Sequence, residues 1–334
     1  LKNKHVKIAF FGSDEIALPC LQAMSTSFDN IEISAVLTQP DRRSGRGRTL
    51  QSNPIKQWAI ESLIPVRDPH KPGIEEVTWL NGLGVDLILV MAYGHILKQA
   101  LLDAAPLGCF NLHASLLPKY RGASPIETSI AMGEDTTGVT LMQVIPQMDA
   151  GPIIDSESIY ITSEDTGIST RGKIAKACIP LMNRSLPTLI SRNFQKVEQV
   201  EKDATYCRKL TKGDGRIDFS LTADELVCRS RAFTGWPGSY FLDGETILRV
   251  GRMEKDLRDL NLKPGQRYEE VVDSLIVGTG SGAISISELQ KPGGKMLPVS
   301  DFLRGYSLPS KISFSLESHE GFSITFSLKP RLRK

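Results

Sequence analysis

The run VDLILVM at residues 85–91 constrains the fold of this chain more than any other feature. It is apolar almost throughout, which is typical of a strand that is buried on both faces of a sheet. A sheet with two buried faces is covered by helices on both sides. The run therefore places the first half of the chain in the α/β class.

Strand and helix patterns alternate on either side of this run. The sequence predicts further strands at residues 6–11, 31–37, 109–113, 140–145 and 153–161. It predicts helices at residues 17–24, 54–62, 74–80 and 166–190, the last with breaks or kinks at Pro180 and Pro187. This alternation indicates a Rossmann-like, doubly wound parallel sheet, in which ligands bind beyond the carboxyl ends of the strands.

The pattern changes near residue 191. Residues 191–207 are polar and charged, and we interpret them as a linker between a domain at residues 1–190 and a second domain at residues 208–305. In the second domain Asp243-Gly244 joins two short strand-like runs, which predicts a hairpin. The short, turn-punctuated runs indicate a small β-domain, either an OB-like barrel or a sandwich. Residues 306–334 form an extension with no assigned role.

Length and composition agree with this division. One hydrophobic core rarely serves 334 residues, so two domains are expected. The five cysteines are scattered and form no C-x-x-C, so we expect neither a disulfide framework nor a zinc site. No apolar run approaches membrane-spanning length, and the N-terminal residues lack the apolar region of a signal peptide. We therefore expect a cytoplasmic protein, monomeric and without a membrane partner.

Several cofactor motifs are missing or misplaced. Gly278, Gly280 and Ala283 match G-x-G-x-x-A, but the alternating run AISISEL begins there, where a dinucleotide site needs a helix. A glycine-rich hairpin turn is the better interpretation. No Walker A motif, H-x-x-x-H or H-x-E occurs in the sequence. We therefore expect neither hydride transfer, nor nucleotide hydrolysis, nor metal catalysis.

Asn111 and His113 are the strongest candidates for catalytic residues. They lie two apart at the end of a predicted strand, so both side chains project from one face. An amide N–H and a protonated imidazole together suit a developing oxyanion. Alone, the pair is equally consistent with a structural asparagine beside a buried histidine. Asp149, in QMDAGPII beyond the next predicted strand, favours the catalytic alternative because its carboxylate would orient His113 and accept a proton.

A cationic loop, TQPDRRSGRGRTLQ, spans residues 38–51. Its only acidic residue is Asp41. Clustered guanidinium groups suit phosphates, so we favour a phosphate-binding loop over a merely solvated one, although a net charge of +2 indicates no nucleic-acid partner by itself. The arginines concerned are Arg42, Arg43, Arg46 and Arg48.

The stretch NLHASLLPKYRGASPI at residues 111–126 resembles the signature of folate-dependent formyltransferases. The arginine loop is more specific, because it is similar to the loop with which the methionyl-tRNA formyltransferase branch of that family meets the tRNA acceptor end. KLTKGDGRIDFSLTADEL and RAFTGWPGSY in the second domain are similar to the same branch. The resemblance covers roughly residues 5–305.

This resemblance implies formyl transfer from 10-formyltetrahydrofolate to methionyl-initiator tRNA, with Asn111, His113 and Asp149 as catalytic residues. It implies that Arg42 recognises tRNA and that the second domain is OB-like and contributes to tRNA binding. It also implies a folate-contacting loop that consists of Ser115, Leu116, Leu117 and Pro118. The rival functions are a sugar-nucleotide formyltransferase, a 10-formyltetrahydrofolate hydrolase and a non-catalytic RNA-binding protein.

Overall fold

The computed structural model describes residues 5–44, 49–271, 273–312 and 325–326. Arg46 and Arg48 of the cationic loop, and most of the extension after residue 305, lie outside these residues. The strands of the first domain are β1 Val6–Gly12, β2 Ile31–Leu37, β3 Arg42–Ser44, β4 Thr49–Gln51, β5 Val66–Arg67, β6 Leu87–Met91, β7 Cys109–His113, β8 Arg121–Gly122, β9 Thr136–Gln143 and β10 Ile153–Tyr160. Its helices are α1 Leu18–Ser27, α2 Pro54–Glu61, α3 Ile74–Leu83, α4 Gln99–Leu102, α5 Pro125–Ala131 and α6 Gly167–Ser191.

Seven of these strands form one sheet in the order β10-β9-β7-β6-β1-β2-β5. Neighbouring strands from β5 to β7 are parallel, so the predicted Rossmann-like sheet is confirmed. β9 runs in the opposite direction between β7 and β10. It also begins and ends earlier than the predicted strand at residues 140–145.

The two faces of this sheet are buried under different helices. One face, with Phe10, Leu89 and Phe110, packs against α1 and α6. The other, with Phe11, Ile88 and Cys109, packs against α3 and α4. Because side chains alternate along a strand, β7 directs Asn111 and His113 to the same side as Cys109.

The long helix predicted at residues 166–190 is α6, and of the breaks or kinks predicted at its prolines the breaks do not occur. α6 continues through Pro180 and Pro187. A row of apolar side chains along α6, including Leu181, Leu186 and Leu189, is fully buried in the core. This packing holds the helix together where the missing proline N–H groups weaken it.

The second domain has the predicted OB-like fold. Two four-stranded sheets enclose a single apolar core, and two helices complete it. Asp243-Gly244 forms the predicted hairpin, and a tight turn joins two antiparallel strands at Gly278–Ala283. Its elements are α7 Ala223–Ala232, β12 Ser239–Asp243, β13 Thr246–Val250, β14 Met253–Asp256, β15 Arg267–Tyr268, β16 Leu275–Gly278, β17 Ala283–Ile286, β18 Glu288–Gln290, β19 Leu297–Pro298 and α8 Val299–Arg304. Outside these two sheets, β11 Thr205–Cys207 and β20 Thr325–Phe326 form a three-stranded sheet with β8.

The segment predicted as a linker is tied to the first domain. Its end, β11, pairs in parallel with β8, and Val197 forms an isolated bridge with Ile153. These contacts bring residues 197–207 beside the loop that follows β7. Among the described residues, no helix is long and apolar enough to cross a membrane.

Candidate active site

A cavity of about 690 Å³ opens beside the ends of β6 and β7. Its walls come from the segment after β6, from β7 and from the connection between β9 and β10. Asn111, His113 and Asp149 all line this cavity. The structure therefore brings together the three side chains predicted to be catalytic, which we call the catalytic trio.

Asp149 reaches His113 by a different route from the one that the sequence pattern suggests. Because β9 is antiparallel to β7, its carboxyl end at Gln143 lies opposite Phe110, while His113 lies opposite Thr140. The connection at residues 144–152 then lines the cavity that Asn111 and His113 face. Asp149 therefore comes close to His113 because of this connection, and not because the carboxyl ends of β7 and β9 lie side by side.

Hydrogen bonding fixes the orientation of the His113 ring. The ring is buried, and its Nε2 lies 2.9 Å from the carbonyl oxygen of Tyr120. A carbonyl oxygen can only accept, so Nε2 carries a hydrogen. Nδ1 then faces the carboxylate of Asp149, with 3.7 Å between Nδ1 and Oδ2. His113 can donate from Nδ1 only as the doubly protonated imidazolium.

The carboxylate of Asp149 is held by the backbone of Gly122. The Gly122 N–H donates to Oδ2 at 2.9 Å. Gly122 has a φ of 118°, and a Cβ at this position would lie 2.1 Å from the carbonyl oxygen of Cys207. Only glycine therefore permits the close pairing of β8 with β11 that presents this N–H to Asp149.

Asn111 is half-buried in the cavity wall between His113 and the segment after β6. Among the described residues, no hydrogen bond to its side-chain amide is formed. The amide is therefore available to donate to a bound substrate, as an oxyanion-stabilising group must be.

Two other titratable groups lie near the trio, the thiol of Cys207 and the imidazole of His95, and neither is in its charged form at neutral pH. Burial raises the pKa of the Cys207 thiol to about 12, so this buried side chain stays protonated. His95, which the sequence does not single out, lines the cavity in the loop before α4. Burial, followed by the charges of Arg42 and His70, lowers the pKa of His95. The sequence signal that was missed is its place just after a buried parallel strand.

The structure does not bring the predicted folate-contacting loop into the cavity lining. Ser115 is fully buried, and its carbonyl oxygen accepts a hydrogen bond from Thr140 Oγ1 at 2.7 Å. The same hydroxyl accepts from the Leu117 N–H at 3.1 Å. The backbone of Ser115 and Leu117 is thus tied to β9, and contact of Ser115, Leu116, Leu117 and Pro118 with folate stays a prediction.

Arg42 and Arg43 lie on a hairpin formed by β3 and β4, which we call the arginine hairpin. Arg42 lines the main cavity and an adjoining polar cavity of about 430 Å³, and its guanidinium bonds to Gln39. Asp41 does not neutralise these arginines, because its carboxylate pairs with Lys56 at 2.8 Å. The hydrogen bond from Lys56 lowers the pKa of Asp41, so the pair is charged at neutral pH.

Comparison with known proteins identifies the family. Residues 6–184 match the formyl transferase family, and residues 209–307 match the formyl transferase C-terminal domain. A methionyl-tRNA formyltransferase of Legionella pneumophila (strain Paris) is 39% identical over 298 residues, which cover 89% of this chain and 94% of that protein. The one of Herminiimonas arsenicoxydans is 36% identical over 317 residues, which cover 92% and 99%.

Solved structures show the same fold at lower identity. An N-formyltransferase from Helicobacter canadensis, in complex with folinic acid and dTDP-3-aminofucose, has a TM-score of 0.64 at 20% identity and covers 86% of this chain and 99% of its own. HypX from Aquifex aeolicus, in complex with tetrahydrofolic acid, has a TM-score of 0.58 at 14% identity and covers 93% and 51%. The two-domain fold and the cavity thus define a formyltransferase. The chain belongs to the methionyl-tRNA formyltransferase family.

Proposed function

We propose that this protein transfers the formyl group of 10-formyltetrahydrofolate to the α-amino group of methionyl-initiator tRNA. The observation that carries the proposal is the presence of Asn111, His113 and Asp149 in one cavity that also reaches Arg42. The trio suits acyl transfer, and an arginine at the cavity suits an acceptor that carries phosphates.

The volume of the cavity suits a small-molecule cosubstrate, and part of its lining is apolar. Its volume of about 690 Å³ lies within the ordinary range for small-molecule sites, roughly 300–1,000 Å³. We assign folate to its apolar part, since aliphatic side chains suit a flat pteridine ring. This part consists of Met91, Leu97, Val144 and Ile145. The charged tRNA then enters from the side of the arginine hairpin.

Each member of the trio has a defined part in the reaction. The neutral amine attacks the formyl carbon, a new C–N bond forms, and the formyl oxygen becomes an oxyanion. The amide of Asn111 and the Nδ1–H of protonated His113 donate to that oxyanion. Asp149 faces the His113 ring with its carboxylate and accepts the proton that the amine loses.

Collapse of the tetrahedral intermediate completes the transfer. The bond between the formyl carbon and N10 of the folate breaks, and the oxyanion becomes a carbonyl again. N10 leaves with the proton that Asp149 received, so atoms and charges balance. No covalent enzyme intermediate is required, because positioning and electrostatic stabilisation suffice for this chemistry.

An acceptor competition tests the proposal and its rivals. 10-Formyltetrahydrofolate is supplied with methionyl-initiator tRNA, with a UDP-amino sugar or with no acceptor, and release of tetrahydrofolate is followed. We expect rapid release only with the charged tRNA. Release with the sugar or with water alone would instead assign the protein to a rival formyltransferase or hydrolase activity, and no release at all would favour a binding protein.

A further inference from the structure

Gln199 turns inward from a segment that is otherwise exposed. Residues 195–198 and Val200 are exposed, whereas Gln199 is half-buried. Its side chain forms hydrogen bonds with three residues of the first domain, Arg121, Asp149 and Gly151. No step of the proposed mechanism uses Gln199.

The amide nitrogen of Gln199 holds the backbone of the catalytic aspartate. It donates to the carbonyl oxygen of Asp149 at 2.8 Å and to that of Gly151 at 2.7 Å. An amide NH₂ has two hydrogens, so both bonds form together and clamp the turn around Ala150. Asp149 needs this support because its φ of 51° is in the left-handed region, which L-residues adopt at an energetic cost.

Arg121 fixes which way the Gln199 amide points. Its Nε donates to Gln199 Oε1 at 3.0 Å, so the amide oxygen faces the guanidinium and the nitrogen faces Asp149. Arg121 is itself 1% exposed. Its Nη1 donates to Glu201 at 2.8 Å and to the Tyr206 hydroxyl at 2.9 Å. The amide therefore has one orientation that satisfies all its partners.

The hydrogen bonds form a closed circuit around Asp149. Gly122 holds its carboxylate directly, while Arg121, the preceding residue of β8, holds its backbone through Gln199. We propose that Gln199 is a positioning residue for formyl transfer, which fixes Asp149 so that its carboxylate faces His113. This inference rests on the catalytic role proposed above for Asp149.

Two substitutions at Gln199 separate its hydrogen bonds from its bulk. Gln199→Met keeps the length and removes all three bonds. Gln199→Glu keeps the acceptor for Arg121 but cannot donate to the carbonyls of Asp149 and Gly151. We expect both variants to lose about 10-fold or more in kcat, because small displacements of a catalytic group are costly. The KM for 10-formyltetrahydrofolate should change less than about two-fold, since Gln199 is not in the cavity lining.

Gln195→Met is the matched control, because Gln195 is an exposed glutamine of the same segment. It should have the kcat of the parent protein, and all variants should keep the parent far-UV circular dichroism spectrum. If Gln199→Met proves too unstable to assay, Gln199→Glu still tests the donated bonds. Full activity of Gln199→Glu would overturn the inference.

A double-mutant cycle with Asp149→Asn distinguishes a failure of this inference from a failure of the proposed mechanism. If Gln199 acts through Asp149, adding Gln199→Met to Asp149→Asn lowers kcat little further. Losses that multiply would show that Gln199 acts elsewhere. If Asp149→Asn is impaired while Gln199→Met is not, only the inference fails. If Asp149→Asn itself turns over normally, the role proposed for Asp149 fails and the inference fails with it.

Discussion

The catalytic trio and the arginine hairpin differ in how much of their geometry the fold determines. Two of the trio's side chains are oriented by hydrogen bonds with the backbone, and His113 is almost fully buried. In the hairpin, Arg42, Arg43 and residues 49–51 are exposed. Oxyanion stabilisation needs donors at hydrogen-bond distance from the oxyanion, about 2.7–3.1 Å, whereas the attraction between an arginine and a phosphate extends over roughly 8 Å, the Debye length at physiological salt. Under the proposed function, the chemistry would take place at the buried, hydrogen-bonded trio, and the acceptor would be recognised by the exposed hairpin.

The largest effect is expected from the trio. Asn111→Ala and His113→Ala should each lower turnover by at least about 100-fold, the scale of losing one oxyanion donor. The affinity for a folate analogue should change little, because each residue acts mainly in the transition state. Steady-state kinetics and titration with the analogue measure the two quantities separately.

Asn81→Ala is the control for these variants, because Asn81 is exposed on α3 and is not in the cavity lining. It should behave as the parent protein does. Near-normal turnover in both Asn111→Ala and His113→Ala would show that these residues have only a structural role. The contrast between the trio and the arginine hairpin would then be lost.

The second prediction concerns the support of the trio. Gly122→Ala places a methyl group 2.1 Å from the Cys207 carbonyl and leaves the residue at a φ of 118°. Strain of this kind costs about 1–3 kcal/mol, and separation of β8 from β11 would also withdraw the N–H that holds Asp149. We expect a melting temperature lower by several degrees and a fall in kcat, by thermal unfolding and turnover assays.

Gly82→Ala is the matched control for this substitution. Gly82 lies in α3, and no neighbouring atom comes within 4 Å of a Cβ at this position. Alanine there should leave turnover unchanged and stabilise the helix by about 0.5–1 kcal/mol. If Gly122→Ala and Gly82→Ala had the same melting temperature and the same kcat, the close approach of β8 to β11 would not be needed for stability or turnover.

The sequence predicted the parts of this molecule that local patterns encode. The buried run at residues 85–91 and the strand at Cys109–His113 were sufficient to indicate the sheet and the common face of Asn111 and His113. The direction of β9 was not predictable in the same way. An apolar strand has the same pattern in either direction, and its pairing depends on residues far along the chain.

The contacts that support the catalytic trio could not be predicted from the sequence either. Arg121 and Gln199 resemble ordinary surface residues in the sequence, because nothing local indicates that β8 pairs with β11. Lys119, two residues before Arg121, is in fact exposed and pairs with Glu134. Two nearby cations of one loop thus have opposite environments, which only the tertiary structure decides. The same limit applies to Ser115–Pro118, whose apolar composition suits a pocket wall as well as packing against β9.

The third and smallest effect is expected from the arginine hairpin. Arg42 lines the cavity, whereas Arg43, the next residue of β3, projects from the opposite face. Arg42→Ala should raise the KM for charged tRNA about 10-fold, the scale of one charge-assisted hydrogen bond, with an unchanged KM for folate. Arg43→Ala should raise it only about two-fold, as expected for an exposed charge. Steady-state kinetics over a range of tRNA concentrations measure both.

The salt dependence of the same KM decides what Arg42 recognises. Each phosphate that an arginine neutralises releases condensed counterions, so affinity falls linearly with salt on a logarithmic scale. If Arg42 contacts a phosphate, Arg42→Ala lowers this slope by about 1, while a residue that only shapes the cavity leaves the slope unchanged. If the KM of the parent protein for charged tRNA did not change with salt, this would contradict a polynucleotide acceptor and favour a small one. If the KM for folate also rose in Arg42→Ala, this arginine would belong with the catalytic trio, and the proposed contrast between the trio and the arginine hairpin would no longer hold.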